Sequence, residues 1–248
     1  MKLLLDIGNS SVNWASEKES NFLSQGSFIY DKKNIEDSLE NNLLLTEKTS
    51  KILLSNVAGK DIYNSLNCWI KKHGNIELWE SSIDKKFGGL KISYKETEQM
   101  GVDRWLSMIA SWNKHRSPLC LVSCGTALTI DLVNSEGNHL GGYILPGHDL
   151  MHKALVDNAE KINIKITNTP SIGYASNTEA AVNNGVFLAL VSAIDRIVKE
   201  FSSELGVMPK CIISGGNAKL IKPLLEFQFK HEPNLVLHGL LIAHNTSI

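Results

Sequence analysis

An α/β fold of two facing lobes is what this sequence predicts, and three observations lead there. Strand-like apolar runs alternate with helix-periodic ones along all 248 residues. The segment Leu5-Asp6-Ile7-Gly8-Asn9-Ser10 recurs in kind, about half a chain later, as Val122-Ser123-Cys124-Gly125-Thr126-Ala127. No low-complexity linker divides the chain, so the lobes are expected to join tightly, as residues 1–115 and 116–248. Duplication of a repeated unit accounts for the recurrence, and so does chance, because strand–Gly–strand hairpins are common.

The elements follow from local pattern. Lys2–Asp6 is a short apolar run that enters an Asp-Ile-Gly-Asn turn, as a buried strand does. Ser11–Ser16, Phe22–Tyr30, Lys51–Ser55 and Ile76–Trp79 read as further strands. Asp61–Lys72 carries Ile62, Leu66, Trp69 and Ile70 at helical spacing, and Gly101–Lys114 carries Trp105, Met108, Ile109 and Trp112. Leu119–Ser123, Leu128–Val133 and His139–Leu145 are strands separated by Gly-rich or Asn-Ser-Glu-Gly turns, and Pro146-Gly147 closes that run. Thr178–Phe201 reads as a long helix, Pro209–Ser214 as a strand ending in Gly215-Gly216, and Leu237–His244 as a short last helix.

Composition narrows the function. The 25 basic and 26 acidic residues leave a net charge of −1, which argues against nucleic acid or a membrane surface as partner. Leu3-Leu4-Leu5 is too short for a signal-peptide core, and no uninterrupted apolar run reaches the roughly 20 residues of a spanning helix. Cys68, Cys120, Cys124 and Cys211 lack ligand spacing; the last three lie in or beside strand-like runs and read as buried, reduced thiols. A cytoplasmic protein is the expectation. His148 and His152, at i, i+4 after the Pro-Gly turn, have no evident third metal ligand and read as exposed helix histidines.

Three glycine turns at strand ends carry the chemistry. A tight turn presents successive backbone N–H groups to a phosphate, and glycine lets the backbone come close. Gly8-Asn9-Ser10-Ser11 and Gly125-Thr126 supply such groups with hydroxyl and amide donors. Asp6 at the mouth of the first turn is a natural Mg²⁺ anchor through water, because Mg²⁺ keeps several waters and takes one or two carboxylates beside phosphates; it equally suits the cap of a hairpin turn. Ser214-Gly215-Gly216 offers bare backbone to a base or ribose. Three such turns, in a chain with no G-x-x-x-x-G-K-[ST] motif, resemble the ATP cleft of the actin/hexokinase/Hsp70 superfamily, with its duplicated, ribonuclease H-like topology and interlobe ATP site.

Read together and in order, the motifs resemble those of the type III pantothenate kinases. They are Asp6-Ile7-Gly8-Asn9-Ser10, Gly101-Val102-Asp103-Arg104, Gly125 to Asp131, Gly141 to Gly147, Asn177-Thr178 with Gly185, and Gly215-Gly216. The resemblance implies ATP-dependent phosphorylation of pantothenate to 4′-phosphopantothenate, the first committed step of coenzyme A synthesis. It implies that Asp103 accepts the proton of the attacking hydroxyl, and that Tyr94, Gly101, Val102, Asp103, Arg104 and Thr178 contact pantothenate. Asp6, Ile7, Gly8, Asn9, Ser10, Ser11, Val12 and Asn13 would contact ATP, as would Gly125, Thr126, Gly215 and Gly216. It also implies a homodimer whose partner subunit helps close the pantothenate pocket. From residue chemistry alone, Asp103 equally suits a first-turn helix stabiliser, Arg104 a surface charge, Tyr94 a packing residue and Thr178 a helix N-cap.

Three positions depart from the family pattern. Ser123 stands where the family commonly has an Asp that helps hold K⁺ or NH₄⁺, and a neutral hydroxyl binds such an ion less well. Asn13 replaces a frequent Lys and removes a positive charge near the triphosphate. Thr97 replaces a Pro before the Gly101–Arg104 motif. Two alternatives therefore stand beside the pantothenate kinase: a catalytically weak regulatory or accessory protein of the same fold, and a small-molecule kinase with another acceptor.

Overall fold

The structure is a computed structural model that describes residues 1–43, 45–46, 48–158 and 169–246. In chain order its main elements are β1 (Lys2–Ile7), β2 (Ser11–Lys18), β3 (Asn21–Ile29), α1 (Ile35–Asn42), β4 (Lys51–Asn56), α2 (Lys60–Lys72), β5 (Glu77–Glu80), α3 (Val102–His115), β6 (Leu119–Cys124), β7 (Ala127–Val133), β8 (His139–Pro146), α4 (His148–Asn158), α5 (Thr178–Leu205), β9 (Lys210–Ser214), α6 (Ala218–Ile221), β10 (Lys230–His231) and α7 (Leu235–Thr246). Two compact units result. Met1–Gly88, Tyr94–Asn113 and Asn234–Ile248 form the first; Gly89–Ser93 and Lys114–Pro233 form the second. The last helix, grouped by sequence with the second half, thus belongs to the first unit.

The first unit is built on a five-stranded sheet of order β3-β2-β1-β4-β5. β1–β2 and β2–β3 are antiparallel hairpin pairs, while β1–β4 and β4–β5 are parallel. Leu3, Leu5, Ile7, Val12, Ile52 and Leu54 pack with Ile35 and Leu39 of α1 and with Ile62, Leu66, Trp69 and Ile70 of α2. Alternation sends Leu4 and Leu53 to the opposite face, where they are equally buried and where α7 lies against β1 and β4. Cover on both faces explains why β1 is a continuous apolar run with no polar alternation. The helix α7 comes so close to α3 that a Cβ on Gly239 would collide with the Leu106 carbonyl.

The second unit repeats the plan. Its sheet has the order β8-β7-β6-β9-β10, with two antiparallel hairpin pairs followed by two parallel ones. The recurrent Gly8 and Gly125 segments therefore occupy the same place, the turn between the first two strands of each sheet. The core joins Cys120, Val122 and Cys124 of β6, Leu128 and Ile130 of β7, and Cys211 and Ile213 of β9 to Phe187, Leu190, Ile194, Val198 and Phe201 of α5. By length and composition α5 could cross a membrane; here its apolar side chains form this core. Its N-cap is Asn177, whose side chain accepts the Ala180 N–H at 2.9 Å, and its C-cap is Gly206 in the left-handed region. Asn177, not Thr178, does the capping.

His148 and His152 are not exposed: they retain 1% and 0% of their surface. Spacing placed both on one face of α4, but α5 packs onto that face. The His148 ring lies 4.7 Å from Phe187 and 4.6 Å from His152, centroid to centroid. His148 Nδ1 bonds Asp149 Oδ1 at 2.8 Å, and burial holds the His152 pKa below the ordinary histidine value. Among the described residues no group of three His, Cys, Asp or Glu side chains is placed to hold a metal ion. Cys120, Cys124 and Cys211 are buried free thiols, while Cys68 is exposed.

The contact between α3 and α7 can be tested at one atom. Gly239→Ala is expected to lower unfolding free energy by about 2–3 kcal/mol, since neither backbone can yield without moving its helix. Urea denaturation measures this, and a loss below about 0.5 kcal/mol, the scale of a surface change, would contradict the close approach.

Candidate active site

In the first unit the site begins where β1 ends. Asp6 is 7% exposed, unusual for a carboxylate, and β-pairing sets it directly between Asn13 on β2 and Ser55 on β4. Ser55 Oγ donates to Asp6 Oδ1 at 2.9 Å, and Asn13 Nδ2 donates to Oδ2 at 3.3 Å. These bonds favour the ionised form but do not match the cost of burial. Desolvation, reinforced by the negative charge of Asp103, pushes the Asp6 pKa up to about 7.

The Gly8–Ser11 turn follows at once. Gly8 N–H donates to the Ser11 carbonyl at 2.9 Å, which closes the hairpin and leaves Asn9 and Ser10 exposed at its tip. The Gly8 carbonyl accepts the Tyr30 hydroxyl at 2.7 Å, and Asn9 Oδ1 accepts Lys32 Nζ at 2.8 Å. The side chains of Ile7 and Val12 are fully buried in the core, so only their backbone faces this region.

Asp103 occupies the first turn of α3, where the helix dipole favours a negative charge. Its Oδ1 accepts the Arg104 N–H at 2.8 Å. A Cβ at Gly101 would sit 2.5 Å from Asp103 Oδ1 and push the carboxylate aside, so glycine leaves Asp103 its place. The next residue, Arg104, is 5% exposed and so is no surface charge. Its guanidinium donates to the Tyr94 hydroxyl at 3.1 Å, with Cζ 5.8 Å from the centre of the Tyr94 ring. Asp6, Asp103, Arg104 and Tyr94 thus form one electrostatic neighbourhood within the first unit. Beside Gly101 and Val102 opens a cavity of about 530 Å³, whose polar walls include Asn56, Ser81, Ser82 and Thr97.

The second unit has glycine turns but, among the described residues, no buried carboxylate ending the strand before them; Asp149, exposed, accepts Asn217 Nδ2 at 3.4 Å. Gly125 N–H donates to the Ala127 carbonyl at 3.1 Å, and Thr126 is exposed at the tip. Gly147 N–H bonds the Thr126 carbonyl at 2.9 Å, and Asn217 N–H, just after Gly215-Gly216, bonds the Cys124 carbonyl at 3.0 Å. The second and third turns are therefore tied to one another. Ser123 pairs with Ser214 across β6 and β9. Thr178 sits elsewhere in this unit, exposed on the rim of a cavity of about 920 Å³ walled by Leu150, Met151, Leu155 and Val182.

Ser55, Tyr30 and Lys32 escaped the sequence reading. Ser55 had a faint signal, a lone polar residue ending the apolar run Ile52–Leu54. Tyr30 and Lys32 had none, because their bonds to the turn are fixed by the return of β3.

A divalent cation fits the first unit on the chemistry of its donors. Two carboxylates, one buried and each repelling the other, gain from a cation held between water and phosphate oxygens. Comparison with known proteins agrees with that setting. The profile of the type III pantothenate kinase family matches residues 2–200. A type III pantothenate kinase of Nitrosococcus oceani is 34% identical, covering 100% of this chain and 95% of its own. One of Nitrosospira multiformis is 33% identical over 99% and 92%. Among solved structures, a Baf-family protein of Campylobacter jejuni superposes with a TM-score of 0.62 at 22% identity, covering 99% of this chain and 100% of its own. MreB5 of Spiroplasma citri, bound to AMPPNP, gives a TM-score of 0.51 at 11% identity over 99% and 96%. The fold is that of the actin-like ATPases.

The raised Asp6 pKa makes ligand-free stability depend on pH with a definite sign. Its contribution is fully present below about pH 4, where folded and unfolded chains both hold the proton, and is lost as pH rises through about 7. The full penalty is about 4 kcal/mol. Asp6→Asn is therefore expected to be the more stable protein at pH 8.5, with the advantage shrinking by pH 5. Paired urea denaturation curves measure it, and a difference that does not vary with pH would contradict the assignment.

Proposed function

This chain belongs to the type III pantothenate kinase family, and from that membership we infer how its residues divide the work of phosphorylating pantothenate with ATP. It is a kinase, transferring a phosphoryl group to an alcohol and yielding 4′-phosphopantothenate for coenzyme A synthesis. Phosphoryl transfer asks little covalent chemistry of a protein; it asks for alignment, charge neutralisation and a carboxylate that orients the nucleophile.

Asp103 is the residue we assign to the nucleophile, accepting the proton of the pantothenate primary hydroxyl. The observation that carries this is its position: a carboxylate in the first turn of α3, beside a bare glycine and in the field of Asp6. Arg104, braced on Tyr94, is suited to the pantothenate carboxylate, with Gly101 and Val102 forming the adjoining wall. Thr178 contacts the same substrate in this reading. The Gly8–Ser11 turn, with Asp6 at its mouth and Asn13 beside it, is assigned to ATP phosphates, and the backbone at Gly125, Thr126, Gly215 and Gly216 to the rest of the nucleotide. A divalent cation, when bound, neutralises phosphate charge; Asp6 would hold it through water. With Ser123 in place of a carboxylate, a monovalent cation such as K⁺ or NH₄⁺ would be held only weakly at this position. Its place of work is the cytoplasm.

The homodimer of the family is assigned to the α4–α5 face, where Leu150 and Leu155 at the 920 Å³ cavity leave 43% and 42% of their surface exposed and Leu188 of α5 leaves 48%.

Two experiments test these assignments. ADP release should require pantothenate, be indifferent to K⁺ and NH₄⁺, and fall by roughly 10³-fold in Asp103→Asn with nucleotide binding retained. Pantothenate-independent ATP use, or an active Asp103→Asn variant, would overturn the reading. In sedimentation velocity the chain should be a dimer that Leu155→Asp converts to monomer; an unchanged dimer would remove the α4–α5 face as its interface.

A further inference from the structure

The segment leaving β3 grips the first glycine turn at three consecutive residues. The Tyr30 hydroxyl donates to the Gly8 carbonyl at 2.7 Å, and the Tyr30 N–H to the Ser10 carbonyl at 3.4 Å. Between them, Lys32 Nζ donates to Asn9 Oδ1 at 2.8 Å. Tyr30 is buried and anchors the segment, while Lys32 and Asn9 are exposed at the tip.

Two carboxylates, Asp6 and Asp103, act on each other beside this turn, while the guanidinium of Arg104 is directed to the Tyr94 hydroxyl. Position 13, opposite Asp6 across the hairpin, holds a neutral Asn whose amide is committed to Asp6 Oδ2. A triphosphate brought to two carboxylates needs compensating positive charge, and backbone N–H dipoles supply only part of it.

We propose that Lys32 is a nucleotide-phosphate-binding residue, delivering from the segment after β3 the positive charge that position 13 lacks. An ammonium carries three donors, and its bond to Asn9 uses one, which leaves two for phosphate oxygens. The same bond orients the Asn9 carboxamide: with Oδ1 on the ammonium, Nδ2 points away from it as a further donor at the tip. Lys32 thus acts both directly and by setting Asn9. The inference rests on the ATP-binding reading of this turn and names the side chain that makes it work.

The test is calorimetric titration of the full chain with MgATP, with pantothenate-dependent ADP release read in parallel. Lys32→Gln keeps a side chain able to bond Asn9 but removes the charge, and it should weaken MgATP binding about tenfold, the scale of one charged hydrogen bond. The KM for pantothenate should not change. Lys32→Arg should bind nearly as the unaltered chain, and the double variant Asn13→Lys, Lys32→Gln should recover most of the loss by restoring a cation across the turn. Salt should weaken MgATP binding less in Lys32→Gln than in the unaltered chain. Undiminished affinity in Lys32→Gln, or a folded double variant that binds no better than Lys32→Gln, would overturn the proposal. Lys32-dependent MgATP binding without pantothenate turnover would uphold it and refute the kinase reading; pantothenate turnover with unchanged MgATP affinity in Lys32→Gln would do the reverse.

Discussion

Asp6 carries its carboxyl at the end of a strand whose preceding residues are packed on both faces by apolar side chains, and taking that group out of water is unfavourable unless something replaces the water. Ser55 and Asn13 replace part of it. They reach Asp6 because β4 and β2 are its two neighbours in register, so the central position of β1 is a condition of the site as well as of the core. Asp103 then adds repulsion where more solvation was needed. The result is a carboxyl poised near neutrality, which a polyphosphate-bound cation would convert into a stable anion. The ligand-free first unit stores unfavourable electrostatics that its ligands are suited to relieve, the usual exchange of stability for function at a site.

What the sequence made legible was local. A glycine after an apolar run marks the end of a strand, and the structure has hairpin turns at Gly8 and Gly125 and a strand-to-helix turn at Gly215. A Gly-x-Asp-Arg segment opening a helix fixes Asp103 near a helix N-terminus without reference to any other part of the chain. Side-chain burial was less legible, because periodicity says which residues share a face and is silent on what covers that face. Arg104 suited a surface charge by its type, yet α3 is covered nearly all round. His148 and His152 suited solvent by theirs, yet Phe187 lies against the first of them. The partners of Asp6 and Asn9 lay further out of reach: Ser55 is 49 residues from Asp6 and Lys32 is 23 from Asn9. The grouping of α7 with β1 spans nearly the whole chain.

The two units show how much a shared plan leaves undetermined. Each sheet has its third, second, first, fourth and fifth strands in that spatial order, with the same directions, and each puts a glycine turn between its first two strands. Such agreement in order, direction and turn position is hard to ascribe to the chance recurrence of a hairpin, and duplication accounts for it directly. Yet the residue before each turn's strand end differs in kind. Asp6 in the first unit is a buried acid with hydrogen-bonding partners on both neighbouring strands; its counterpart by alignment, Ser123, is a neutral hydroxyl beside Ser214.

That asymmetry assigns the electrostatic work. In the second unit one buried acid, Asp195, accepts the Glu226 N–H; another, Asp131, lies mid-strand and is bonded to His139 Nε2 at 3.0 Å, whose Nδ1 lies 3.2 Å from Ser93 Oγ. Asp131 serves the β7–β8 pairing and stands away from the Gly125 turn, where backbone N–H groups face outward and the exposed Asp149 accepts Asn217 Nδ2 at 3.4 Å. Neutral donors orient a ligand without requiring a counter-charge, whereas the first unit's carboxylates require one. With Asn at position 13 and Arg104 directed to Tyr94, the segment after β3 is what the fold brings to the Gly8 turn with a positive charge. On this argument the neutral Asn at position 13 and the grip of Tyr30 and Lys32 on the turn are two aspects of one arrangement.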